Sequence, residues 1–166
     1  HMLRQLFFLS FILIALSSCA QSKYGIKKIT AFYALRTPGN IPVDENGREL
    51  YSGPDTIHTI YIEVSGKNTV KWEDAWKNNN YYTVISTKIT QATFEAGMEK
   101  TANSRITIKP AIGNTLWQLS LSPSETKMAK PSKALRDEII LQGKYNGKKI
   151  IQKISKMTEL VLPPSY

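Results

Sequence analysis

Apolar and polar positions alternate with a period of two in several short stretches of the chain. Thr56 to Val64 sets Ile60, Ile62 and Val64 against Thr59, Tyr61 and Glu63, as in a strand with one face on a core. Leu116 to Leu121 sets Trp117, Leu119 and Leu121 against Gln118 and Ser120, and Arg105 to Lys109 sets Ile106 and Ile108 against charged and hydroxyl neighbours. Ile26 to Leu35 is rich in β-forming residues, with Ile29, Ala31, Tyr33 and Leu35 on one parity, while Tyr81 to Thr90 is β-rich with a less regular alternation. Glu138 to Tyr145 and the segment from Lys148 onward are joined by Asn146-Gly147, a dipeptide that accepts positive φ at both central positions of a hairpin turn. The pattern predicts an all-β domain of about seven or eight strands with little helix, either an antiparallel β-sandwich (Ig-like or similar) or a partly open barrel.

Two stretches fit more than one period. In Val70 to Tyr82, Trp72 and Trp76 share a side at both strand and helix spacing. The Asn78-Asn79-Asn80 tract favours a turn, because Asn tolerates left-handed backbone and bonds locally, so a hairpin is expected here. In Lys149 to Val161, Ile150, Ile154, Met157 and Val161 form a helical stripe opposite lysines. The preceding Asn-Gly turn and the β-branched content instead favour one long return strand. Arg36 to Pro54 and Ser122 to Ala134, rich in Pro with Gly or Lys, read as exposed loops.

A different pattern opens the chain: Arg4, then an apolar run from Leu6 to Leu16 broken only by Ser10, then small residues. A basic start, a short apolar core and small residues are the features an export leader needs, and the run is too short for a comfortable membrane span. Leu16-Ser17-Ser18-Cys19 resembles the lipobox of bacterial lipoproteins, in a relaxed form like that of Bacteroidetes. The resemblance implies acylation of Cys19 and cleavage just before it. It covers the leader alone; the rest of the chain resembles no family. Cys19 is the single cysteine among 166 residues, so no intramolecular disulfide can form. The expected organisation is a signal peptide over 1–18, with His1 ahead of Met2 read as a cloning remnant, a lipidated tether over 19–24 and one β domain over 25–166. Ala20-Gln21-Ser22 lacks the acidic residue expected to hold a lipoprotein at an inner membrane. The resemblance therefore implies an envelope protein of the outer membrane, on either its periplasmic or its surface side.

Charge changes the picture next. The chain carries 22 Lys and Arg against 13 Asp and Glu, a formal net charge of +9. The excess gathers in its last quarter, where Lys144, Lys148, Lys149, Lys153 and Lys156 are the candidate anion-binding residues. In an exported protein such a field meets anionic glycans and lipid headgroups, and a nucleic-acid partner is not expected. Lysines also keep strand edges soluble and unpaired, which is the plainer role for them.

Catalytic chemistry leaves little trace. His58 is the one histidine after the leader, it shares the parity of Ile60, and no G-x-S-x-G elbow accompanies it, so a structural histidine is expected. Glu73-Asp74 and Asp137-Glu138 are sequence neighbours that would point to opposite faces of a strand. Asp44-Glu45-Asn46-Gly47 gathers oxygen ligands beside a glycine, but the ligand spacing and closing Glu of an EF-hand are missing, and a tight turn is expected. No catalytic residue, metal site or cofactor is expected. Recognition remains: Trp72, Trp76, Tyr81 and Tyr82 are the candidate binding aromatics of the proposed hairpin, with packing in the core beside Trp117 as their plainer role. The expected function is a non-enzymatic, lipid-anchored envelope lipoprotein that binds another envelope protein in an assembly, adaptor or inhibitor role. The alternative is a module for anionic polysaccharide or lipid headgroups.

Overall fold

The computed structural model describes residues 23–36, 43–50 and 55–162; the leader, Cys19 and most of the tether lie outside them. After a short 3-10 turn at Lys23–Gly25 come ten strands. They are β1 (Ile26–Arg36), β2 (Asp55–Ser65), β3 (Lys71–Lys77), β4 (Asn80–Ile89), β5 (Phe94–Glu99), β6 (Ser104–Ile108), β7 (Asn114–Pro123), β8 (Ile139–Tyr145), β9 (Lys148–Ile154) and β10 (Thr158–Val161). All join one sheet in the order β6-β5-β10-β1-β2-β7-β4-β3-β8-β9. The fold is all-β, and the sheet curls into a half-barrel. Its pairings are antiparallel except β1 with β10, which run parallel.

Two apolar clusters explain the curl. On one face Ile60, Ile62 and Val64 of β2 join Leu119 and Leu121 of β7, Trp72 and Ala75 of β3, Ile139 and Leu141 of β8, and Ile150 and Ile154 of β9. The β3-β8-β9 limb thus shares one core with β1 and β2. On the opposite face Phe32, Tyr61 and Leu116 are covered by Phe94, Ala96, Ile106, Ile108 and Leu160, so the β10-β5-β6 limb folds back the other way. Each fully buried Ile or Leu contributes roughly 1.5–3 kcal/mol. A one-residue slip of β2 would exchange its two faces, and burial therefore fixes the register. All of these core residues lie between Ile26 and Leu160, so a chain that starts after Cys19 keeps the whole core.

Several expectations change in detail. The β2 strand is buried on both faces, because the β5–β6 hairpin covers Tyr61 while Glu63 accepts hydrogen bonds from the Ala111 amide (2.8 Å) and Asn114 Nδ2 (2.6 Å). The hairpin expected around the asparagine tract forms as β3–β4, with Asn78 at φ 54°. The single long strand expected over 149–161 is instead two. The chain leaves β9 at Ile154 and crosses through Ser155-Lys156-Met157 to pair β10 with β1. Tertiary pairing with β1 makes that break; the local sequence shows only a continuous β-forming run. The strand β5 was not expected, since Gly97 and two glutamates dilute its pattern; Gly97 sits at a bulge facing Leu160. The Asn146-Gly147 turn has φ 50° and 75°, as a primed hairpin turn requires.

The strands align so that the connections fall at two ends. At one, which we term the turn end, lie the start of β1 and the tight β2–β3, β6–β7 and β8–β9 turns. At the other, the loop end, lie the end of β1 and the start of β2, the β3–β4 turn, the long 124–138 segment and the 155–157 crossing.

Candidate functional site at the loop end

The 124–138 segment straps across the outer face of the β3-β8 limb. Trp76 and Ile140 are directly paired across β3 and β8 and point outward, yet they are 2% and 0% exposed. The Trp76 Nε1 donates to the Met128 carbonyl at 3.0 Å, and Lys153 Nζ donates to the Lys133 carbonyl at 2.7 Å. The β3–β4 turn holds the same segment: Lys130 Nζ donates to Asn79 Oδ1, the Asp137 amide donates to Asn78 Oδ1, and the Ser124 amide donates to the Tyr81 carbonyl. Asp137, itself at φ 65°, pairs with Lys77 at 3.6 Å. Below the strap, Tyr81 donates to Asp74 Oδ1 at 2.7 Å, and Gln142 Nε2 donates to Asp74 Oδ2 at 2.9 Å. That hydrogen bond, with some burial, pushes the Tyr81 hydroxyl up to about 12.

Two clefts open at this end. The larger, about 740 Å³, lies between the end of β1 and the strap and is lined by Arg36, Asp55, Asn79, Tyr81, Lys127 and Met128 among others. The smaller, about 440 Å³, opens on Tyr33, Leu35, His58, Lys77, Asp137 and Met157. Thr56 lines both. Loops gathered at one end of a rigid β scaffold are a common arrangement for recognition. Charges here are mixed: Arg36 pairs with Asp55, and both Lys77 and Arg136 with Asp137, while Lys127, Lys130 and Lys133 of the strap are exposed with no ion pair among the described residues.

His58 stands at the floor of the smaller cleft. It is 3% exposed and lies edge-on to Tyr82, with ring centroids 5.9 Å apart. Desolvation, then the nearby Lys77 cation, lowers its pKa to about 4. Its Nδ1 is buried without a hydrogen-bond partner among the described residues.

Of the four candidate aromatics, Trp72, Trp76 and Tyr82 are buried and only Tyr81 is partly accessible. Trp72 fills the inner core, where Gly143 makes room for it: a Cβ on Gly143 would lie 2.6 Å from the Lys71 carbonyl and 2.9 Å from the Trp72 ring. Trp76 and Tyr81 pack on the outer face with ring centroids 5.6 Å apart and planes tilted by 47°, and Tyr81 and Tyr82 line the larger cleft.

The lysines divide between the two ends. Lys153 is tied to the strap, and Lys156 lies in the crossing to β10. Lys144, Lys148 and Lys149 sit at the turn end, where Lys71, Lys144 and Lys149 form one cross-strand row. Glu73 pairs with Lys71 at 3.3 Å and with Lys144 at 3.1 Å, and these contacts, the Lys144 hydrogen bond foremost, hold its carboxyl below the usual range. In the 43–50 segment, Asp44 Oδ1 accepts the amides of Asn46 and Arg48, both at 2.8 Å, and Gly47 has φ 74°. That is the expected tight turn.

No protein-family model, no curated protein and no solved structure matches this chain.

Among the described residues, no three His, Cys, Asp or Glu side chains converge as metal ligands, and no helix is long and apolar enough to cross a membrane. The cleft residues Arg36, Asp55, Lys77, Asp137, Lys127 and Met128 were not anticipated as a group. Their one sequence signal was the unusual composition of the two long loops, since the residues come from four separate segments.

Proposed function

We propose that the protein is a lipid-anchored lipoprotein of the outer membrane whose β domain is a non-enzymatic binder of another envelope protein. It acts as an assembly factor, adaptor or inhibitor, and its loop end makes the contact. The observation that carries this reading is the pair of adjoining clefts, joined at Thr56 and placed at the opposite end of β1 from the side where the tether enters. Mixed charges, the accessible edge of Tyr81 and the exposed Met128 and Leu35 offer polar and apolar contacts together, the composition of a protein interface. The apolar run Leu6 to Leu16 with Cys19 supports export and anchoring.

A photo-crosslinking residue placed at Asn79 or Lys127, with a control at Gly147, tests the reading in the native envelope. The expected result is a discrete protein adduct from the loop-end positions that survives high salt and is absent at the control. Equal adducts from both ends, or none from the loop end, would overturn it. Lipid labelling of Cys19 checks the anchor separately.

A further inference from the structure

The turn end is built as a locked, basic platform around the point where the chain enters the fold. Tyr24 and Gly25 lie at φ 66° and 74°, and a Cβ on Gly25 would meet Asn68 Nδ2 at 2.7 Å and Ser65 Oγ at 3.0 Å. Asn68 Nδ2 donates to the carbonyl and hydroxyl oxygens of Ser65, and its Oδ1 accepts from the Tyr145 hydroxyl at 3.2 Å. Tyr24 packs on Tyr145 with centroids 5.4 Å apart. The start of β1, the β2–β3 turn and the β8–β9 turn are thereby fixed to one another.

Exposed cations surround this junction. Lys27, Lys28, Lys67, Lys148 and Lys149 are all exposed and, among the described residues, have no ion-pair partner. The nearby carboxylates are already engaged, Glu73 by Lys71 and Lys144, and Glu63 by an amide and Asn114. The loop end also carries exposed lysines with no ion pair among the described residues, Lys127, Lys130 and Lys133 in the strap and Lys156 in the crossing, but it lies the length of β1 away from the point where the chain enters the fold.

We propose that the turn end is a docking surface for the anionic lipid headgroups of the membrane that holds the tether, with Lys27, Lys28, Lys67, Lys148 and Lys149 facing the phosphates. The proposal takes its direction from the anchor reading. Five residues, Ala20 to Tyr24, separate Cys19 from Gly25, and the six steps reach at most about 22 Å, whereas β1 extends roughly 36 Å from the same point to the loop end. A tether of that length keeps the turn end within reach of the surface and holds the loop end outward. Each lysine near an anionic surface adds to the attraction, and the effect fades within a Debye length.

The chain from residue 20 onward, which carries no acyl group and retains the core, is mixed with vesicles of phosphatidylcholine alone or with an equal part of phosphatidylglycerol. It is expected to sediment with the anionic vesicles only, and to be released by salt. The triple variant Lys67→Gln, Lys148→Gln, Lys149→Gln is expected to bind about 100-fold more weakly. The loop-end triple Lys127→Gln, Lys130→Gln, Lys133→Gln, which removes the same charge, is expected to bind like the parent. Indifference to lipid charge, or equal losses in the two triples, would overturn the proposal. Acylation of the full-length protein is followed in parallel by lipid labelling. A full-length chain that takes no lipid, beside a shortened chain that still docks through the turn end, would remove the anchor and leave the surface standing.

Discussion

The two ends of the half-barrel solve opposite problems with the same strands. The turn end closes on short turns locked by Asn68, Tyr145 and Gly25, and it leaves five lysines without partners. The loop end carries the 124–138 strap, pairs Arg36 with Asp55 and Lys77 with Asp137, leaves Lys127, Lys130 and Lys133 without an ion pair among the described residues, and keeps two clefts open. Rigid closure with unbalanced charge suits a broad, undifferentiated anionic surface, where position matters little and total charge matters most. Open clefts whose walls carry both signs of charge beside apolar side chains suit a partner of defined shape, where fit decides. The difference is therefore a division of labour along one axis, set by which turns are tight.

The sharpest way to break that comparison is to detach the strap. Trp76→Ala removes a side chain that is 2% exposed and its bond to the Met128 carbonyl. A loss of about 3–5 kcal/mol is expected, read by urea unfolding, with faster amide exchange confined to the strap and the β3–β4 turn. Uniform exchange over both ends would show that the loop end has no separate integrity.

A pH series sharpens the comparison next. His58 has its pKa lowered to about 4 in the folded protein, against an ordinary value of 6.5. The unfolded chain therefore binds the extra proton first, and stability falls as pH drops from 6.5 towards 4. The full loss is about 3 kcal/mol, and it is present only in the parent; His58→Phe should remove this part of the slope in unfolding midpoints measured from pH 7 to pH 4. An unchanged slope would place the acid sensitivity elsewhere.

The smallest of these effects lies at the turn-end bulge. Gly143→Ala places a Cβ 2.6 Å from the Lys71 carbonyl, where backbone cannot give way cheaply, and a loss of about 1–3 kcal/mol is expected. Anionic-vesicle binding should fall with it if the lysine row on β3, β8 and β9 depends on that close approach. Destabilisation with binding intact would separate the row's charge from its geometry.

Much of the fold was legible because burial on a sheet repeats every two residues. The alternation in Thr56 to Val64 and Leu116 to Leu121 marked β2 and β7, and the Asn146-Gly147 pair marked the β8–β9 hairpin. The same logic failed where partners from elsewhere supplied the burial. Nothing local announces that Tyr61 is covered by the β5–β6 hairpin, that Trp76 is roofed by Met128, or that a β-forming run breaks at Ser155 so that Thr158–Val161 can join β1. The candidate site was legible only in pieces: Tyr81 and Tyr82 stood out for their aromatic rings, while nothing local placed Arg36 in the larger cleft or Lys77 and Asp137 in the smaller one until strand pairing brought them there.

The sequence by itself determined the all-β class, most of the strands, the tight turns at positive φ and the gathering of lysines late in the chain. These depend on periodicity, local backbone preference and composition, which are written residue by residue. Only the tertiary structure decided which lysines surround the start of β1 and which are tied to the strap, which aromatics are buried, and that the strap lies beside the ends of β1 and β3. Those depend on strand order and register, where contacts between residues far apart in the chain outweigh anything a neighbour can specify.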